Sequence, residues 1–74
     1  MKIEVRLFAT FREGRFSRQS FDVTEPCALR DLLKLIDIPE AAVHLPMVNG
    51  EYSTLARVLR DGDIVSLFPA VGGG

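Results

Sequence analysis

The sequence predicts a two-layer α+β domain, with one main helix packed on one face of a mixed sheet of four or five strands. Three observations predict it. Several short stretches alternate apolar and polar residues with period two, or are rich in β-branched and aromatic residues, as strands are. One internal stretch instead sets apolar residues at i, i+3, i+4 and i+7, as an amphipathic helix does. The length, 74 residues, suits one domain and no more. The domain is expected over residues 1–69, and residues 70–74 form a glycine-rich tail.

The elements follow in order. Ile3, Val5 and Leu7 alternate with Lys2, Glu4 and Arg6, a half-buried strand within Met1–Thr10. Phe11 to Arg15 breaks the alternation, with Gly14 marking a turn. Phe16–Val23 reads as a second strand, returning antiparallel as a hairpin. A helix signal comes next: Thr24 or Glu25 as cap, Pro26 near the first turn, and Asp31 shortly after. Leu29, Leu32, Leu33 and Ile36 form its apolar face, and Asp37-Ile38-Pro39 stops it, because proline restricts its predecessor and donates no hydrogen bond. Leu45–Val48 is a third strand, and Asn49-Gly50 a strong turn dipeptide. Tyr52–Leu59 reads as a short strand followed by a helical turn. Asp61-Gly62-Asp63 is another turn before a last strand, Ile64–Phe68, which Pro69 ends.

Composition narrows the function classes. Hydrophobic residues at 47% and charged residues at 26% exclude the signature of disorder. A net charge of −1 with dispersed arginines argues against a nucleic-acid footprint. One cysteine, Cys27, allows no internal disulfide, and with one histidine, His44, it cannot build an ordinary zinc site. A small chain with neither device fits a reducing cytoplasm. No stretch resembles a signal peptide, and no apolar run reaches the roughly 18 residues of a membrane span.

Few residues suggest chemistry. No serine, histidine and carboxylate are suggestively spaced, and no glycine loop between strand and helix is built to cradle phosphate. Asp61 and Asp63 are paired carboxylates, but flanking a turn glycine they serve the turn more readily than a metal or acid–base chemistry. Cys27, expected in the first turn of the helix, is either a thiol activated by the helix dipole or a small packing residue. His44 reads as a surface or loop histidine. The tail stands out. Val71-Gly72-Gly73-Gly74 carries three consecutive glycines without Cβ atoms. The six residues beyond Phe68 reach roughly 20 Å when extended. Such a terminus can thread a narrow channel into another protein; the competing reading is a frayed end.

Parity adds a surface to the tail. If Ile3, Val5 and Leu7 face the core, Phe8 points outward with Arg6 and Glu4. If Val65 and Leu67 point inward, Phe68 points outward with Ser66. Were the first and last strands neighbours, Phe8 and Phe68 would form one exposed aromatic patch at the base of the tail, of the kind that marks protein contacts. Otherwise one or both cover the edge of the core.

Leu7-Phe8-Ala9 followed by Arg12-Glu13, then Val48-Asn49-Gly50, then Asp61-Gly62-Asp63 followed by Phe68-Pro69 and a terminal Gly73-Gly74, form an ordered set across nearly the whole chain. By that set the chain resembles the ubiquitin-like β-grasp sulfur carriers of the MoaD/ThiS family, and is most similar to the small subunit of molybdopterin synthase. It departs from that type at Ala70, where a second proline is usual, and at Gly72, where another small residue is usual. The resemblance implies that a ubiquitin-activating-type adenylyltransferase adenylates the Gly74 carboxylate with ATP. Sulfur from a donor such as a cysteine desulfurase or rhodanese then gives a thiocarboxylate. The tail, with Gly73 easing its passage, enters the large subunit of molybdopterin synthase. Phe8, Arg12, Phe68 and Val71 would sit at the partner interface. The chain itself would bind no cofactor, metal, nucleic acid or membrane, and would carry sulfur rather than catalyse. Three alternatives stand beside this reading: thiolation in thiamine thiazole synthesis or elsewhere, a ubiquitin-like protein modifier, and a plain interaction module.

Overall fold

The computed structural model describes residues 1–70; the expected roles of Val71, Gly73 and Gly74 therefore fall on residues outside those described. Strand β1 is Lys2–Leu7, β2 Arg18–Asp22, β3 Val43–Val48, β4 Glu51–Tyr52 and β5 Ile64–Pro69; the helix α1 is Leu29–Leu35. The five strands form one sheet in the order β2-β1-β5-β3-β4. β1 and β5 run parallel, and every other pair is antiparallel. The sheet is thus mixed and five-stranded, because Glu51–Tyr52 folds back onto Met47–Val48 through the Asn49-Gly50 turn. Both turn residues have positive φ, 53° and 83°, the geometry that an Asn-Gly hairpin turn supplies.

Alternation decides which face is core. Ile3, Val5 and Leu7 of β1, Val48 of β3, and Val65 and Leu67 of β5 are fully buried. They pack with Leu29, Leu32 and Leu33 of α1, joined by Phe11, Ile36, Ile38 and Leu59. Phe11 comes from a 3₁₀ turn, Ala9–Arg12, that begins with Ala9 at φ 52°. Pro46 sits in β3 without breaking it: its carbonyl accepts from Ser53 on the β4 side, so its missing N–H also falls there, beyond the two residues of β4. β3 starts earlier than expected, at Val43, with a bulge before Leu45 that leaves His44 exposed on a strand rather than in a loop.

The helix corrects the sequence reading at its start. Neither Thr24 nor Glu25 caps it, and Pro26 lies outside it; Ala28 is the N-cap. The backbone of residues 55–59 takes over the capping: Leu29 and Arg30 donate to the carbonyls of Arg57 and Leu55, while Leu59 donates to the Cys27 carbonyl. The Asp31 carboxylate accepts from the Ala28 N–H at 3.0 Å. The turn expected within Tyr52–Leu59 is present at Leu55-Ala56, where Arg57 donates to the Thr54 carbonyl, and the chain beyond it bridges Val58 to Ala28. The helix ends as expected at residues 37–39, by a left-handed Asp37 (φ 57°), with Ile38 donating to Leu33 and Asp37 to Lys34.

Asp61 and Asp63 serve structure. Asp61 Oδ1 accepts from the Lys2 N–H at 2.6 Å, and Gly62, at φ 88°, donates to the Lys2 carbonyl. Asp63 is buried. Its two oxygens accept from Asn49 Nδ2 and the Arg60 N–H, each at 2.8 Å, while Asn49 Oδ1 accepts from the Ile64 N–H. One carboxylate thus joins the β3–β4 turn to the entry of β5. Replacing Asp63 with Ala leaves two donors short of a partner and should cost about 3 kcal/mol in urea denaturation. A loss below about 0.5 kcal/mol would show the latch to be idle.

Cys27 precedes the N-cap rather than lying in the first turn, and is buried. Burial, followed by the nearby Asp31 carboxylate, pushes its thiol pKa up, so the packing reading holds against the activated thiol. Native protein should react with iodoacetamide far more slowly than urea-unfolded protein at the same pH. A raised native pKa favours the protonated thiol in the fold. This stability is present below the unfolded thiol's pKa and is lost as pH rises through the native value. A Cys27→Ala variant should lose less stability on alkalinisation across that window; an identical pH profile would rule the linkage out.

Candidate functional site

The parallel register sets Leu7 against Leu67, so Phe8 and Phe68 meet one residue further on. The Phe8 N–H donates to the Leu67 carbonyl at 3.2 Å, extending the pairing past the end of β1. Both rings project from the sheet face that α1 leaves open. They stack with centroids 4.3 Å apart and planes 11° from parallel. Each is half-buried rather than sealed into the core.

Arg12 completes the stack. The 3₁₀ turn after Ala9 swings its side chain back over β1, where its guanidinium carbon lies 5.3 Å from the Phe8 ring centroid. Its Nε donates to the Leu7 carbonyl at 2.7 Å, which fixes the plane of the group. Ring stacking contributes about 1 kcal/mol and the cation–π contact about 0.5–1 kcal/mol, enough to hold a pre-formed surface without anchoring the fold. Phe8, Arg12 and Phe68, expected together from parity and resemblance, thus lie side by side at the point where β5 ends. Pro69 is still buried and Ala70 is exposed, so the chain leaves the sheet directly beside the rings.

Sequence reasoning missed the rest of this face. Leu45 lies opposite Phe68, Met47 opposite Ser66, and Tyr52 opposite Met47. Tyr52 is 70% exposed. These residues carry the apolar strip from β1 across β5 and β3 to the far edge. Period two within Leu45–Val48 hints at it, but the β3–β5 register that aligns the strip is set by long-range pairing and has no local signal.

Among the described residues no group of three or more His, Cys, Asp or Glu side chains could hold a metal, and no helix is long and apolar enough to cross a membrane. Every buried side-chain nitrogen or oxygen among them has a hydrogen-bond partner. Among the described residues, the aromatic stack and the apolar strip beside it form a continuous exposed surface.

Residues 5–74 match the family model described as the ThiS family. Small archaeal modifier protein 3 of Haloferax volcanii is 38% identical over an alignment spanning all of both chains. A solved structure titled putative molybdopterin converting factor, subunit 1, from Pyrococcus furiosus is 28% identical. It superposes with a TM-score of 0.78, covering 96% of this chain and 99% of that one. A chain in a solved complex of subunits 1 and 2 of molybdopterin-converting factor from Helicobacter pylori is also 28% identical, at a TM-score of 0.69 with both chains fully covered. The five-stranded mixed sheet with one helix is the ubiquitin-like β-grasp shared with these relatives. The chain belongs to the ThiS family of ubiquitin-like β-grasp sulfur carriers and modifiers.

Proposed function

We propose that this chain is a sulfur carrier that delivers sulfur from its C-terminal Gly74, in molybdopterin synthesis. The observation that carries the reading is the Phe68–Phe8–Arg12 stack where the chain leaves the sheet, a rigid docking surface placed at the root of a glycine tail. The relative solved with its subunit 2 supports a large-subunit partner of the molybdopterin synthase type.

The chemistry needs little from this chain. A carboxylate is a poor electrophile. A ubiquitin-activating-type adenylyltransferase joins the Gly74 carboxylate oxygen to the α-phosphorus of ATP, releasing pyrophosphate. The terminal sulfur of a persulfide on a donor such as a cysteine desulfurase or rhodanese then attacks the acyl carbon, and AMP leaves. A thiol splits the resulting acyl disulfide and frees the thiocarboxylate. Gly73, without a side chain, lets the terminus enter the narrow site of the large subunit, and Val71, which precedes the three glycines in sequence, meets the partner. This fits the reducing cytoplasm, where thiol reductants are at hand.

A second reading keeps the activated terminus and changes its acceptor. The full-length match to an archaeal modifier favours ligation of Gly74 to lysines of other proteins. Thiolation in thiamine synthesis is the alternative that the family model itself accommodates.

Removing Gly73 and Gly74 should leave the melting curve unchanged and abolish sulfur transfer; undiminished transfer by the truncated chain would end the carrier reading. Intact protein from its own cells should carry a fraction heavier by the difference between sulfur and oxygen, whereas conjugates linked only through lysine would favour the modifier. Phe68→Asp should cost about 1 kcal/mol of stability, the worth of the stack, yet weaken partner binding at least about tenfold. A stability loss several times larger, seen in denaturant titration, would make Phe68 a core residue.

A further inference from the structure

Beside the aromatic stack the open face of the sheet carries an electrostatic arrangement that works against the fold. Across the β1–β2 ladder Lys2 faces Asp22, with their charged groups 3.9 Å apart, a favourable pairing. Four residues on, Arg6 faces Arg18. Like charges directly opposite on one sheet face destabilise the pair. Glu4 offsets only one of them, through a 2.6 Å contact with Arg6 Nε. Arg12 arrives at the same corner from the 3₁₀ turn. The three arginines, with Phe8 and Ser17, line a depression of ≈ 360 Å³. In a chain of net charge −1, this is a local surplus of positive charge.

The corner is also prepared for a ligand. Arg12 is held by the Leu7 carbonyl and the Phe8 ring, so little freedom remains to be lost on binding. Its terminal nitrogens, and the whole Arg18 guanidinium, have no hydrogen-bond or ion-pair partner among the described residues. A planar guanidinium with two free N–H donors matches a carboxylate bidentately.

We propose that the Arg6–Arg12–Arg18 corner receives an acidic, Asp- or Glu-bearing segment of the adenylyltransferase that activates the tail. The proposal rests on the reading that the chain docks through its open sheet face. The depression is shallow and continuous with the Phe8–Phe68 stack, as the polar rim of a protein interface is, and unlike an enclosed small-anion site. Three arginines partly offset by Glu4 are too small a basic surface for a nucleic acid to track. The activating enzyme is the partner common to the carrier and modifier readings alike. Charges at such a rim act chiefly on the association rate, by steering the encounter.

The test measures binding kinetics of the full chain to its adenylyltransferase at about 50 mM and about 500 mM salt, where screening differs strongly. Arg18→Glu should slow association about tenfold at low salt and little at high salt, while Arg18→Lys keeps most of the rate. The same Arg18→Glu change turns a repulsive cross-strand pair into an attractive one, so its melting temperature should hold or rise, which separates lost docking from lost folding. An unchanged low-salt association rate for Arg18→Glu overturns the proposal. If Phe68→Asp still weakens binding, the docking reading survives that failure; if it does not, both fall. Binding of a short single-stranded RNA that Arg18→Glu abolishes would give the corner to nucleic acid and overturn the proposal as well.

Discussion

The rest of the structure depends on the parallel pairing of β1 with β5. It joins the two ends of the chain, Glu4–Leu7 with Ile64–Leu67, across nearly the whole sequence. Closing so long a loop is entropically unfavourable, so the pairing needs strong local support. On one face Val5, Leu7, Val65 and Leu67 are sealed beneath α1. At the strand entries Asp61 grips the Lys2 backbone and Asp63 ties β5 to the Asn49 turn. The same register that aligns these core residues sets Phe8 against Phe68 on the other face. Core and aromatic stack are thus two sides of one set of hydrogen bonds, and neither can shift register without the other.

Local patterns made most of this legible. The period-two run at Ile3, Val5 and Leu7 and the 3.6-residue face of Leu29, Leu32, Leu33 and Ile36 name the core directly. Asn49-Gly50 names its turn, because few residues accept positive φ at two successive positions. What escaped was satisfied at long range. The start of α1 reads as a side-chain cap at Thr24 or Glu25, yet its free N–H groups find carbonyls at residues 55 and 57. No local rule anticipates that, and the helix accordingly begins later and leaves Cys27 outside it.

The candidate site divides along the same line. Phe8 and Phe68 follow from parity once the end strands are neighbours, and that adjacency came from resemblance rather than from any local signal. Arg12 depends on a left-handed alanine and a 3₁₀ turn that fold its side chain back over β1. Leu45, Met47 and Tyr52 required the β3–β5 register. An exposed surface of this kind is set by tertiary pairing more than by motif, so local patterns carry only part of it.

The position of β5 has a mechanical consequence. The tail continues from a strand flanked on both sides, by β1 and β3, not from an edge. A pull along the tail, such as withdrawal from a tight channel, loads both ladders lengthwise. Their hydrogen bonds then share the force in shear instead of parting one at a time, as they would if a strand were peeled from the margin. A chain drawn by its C-terminus would thus be held at the place in its sheet where tension is spread most widely.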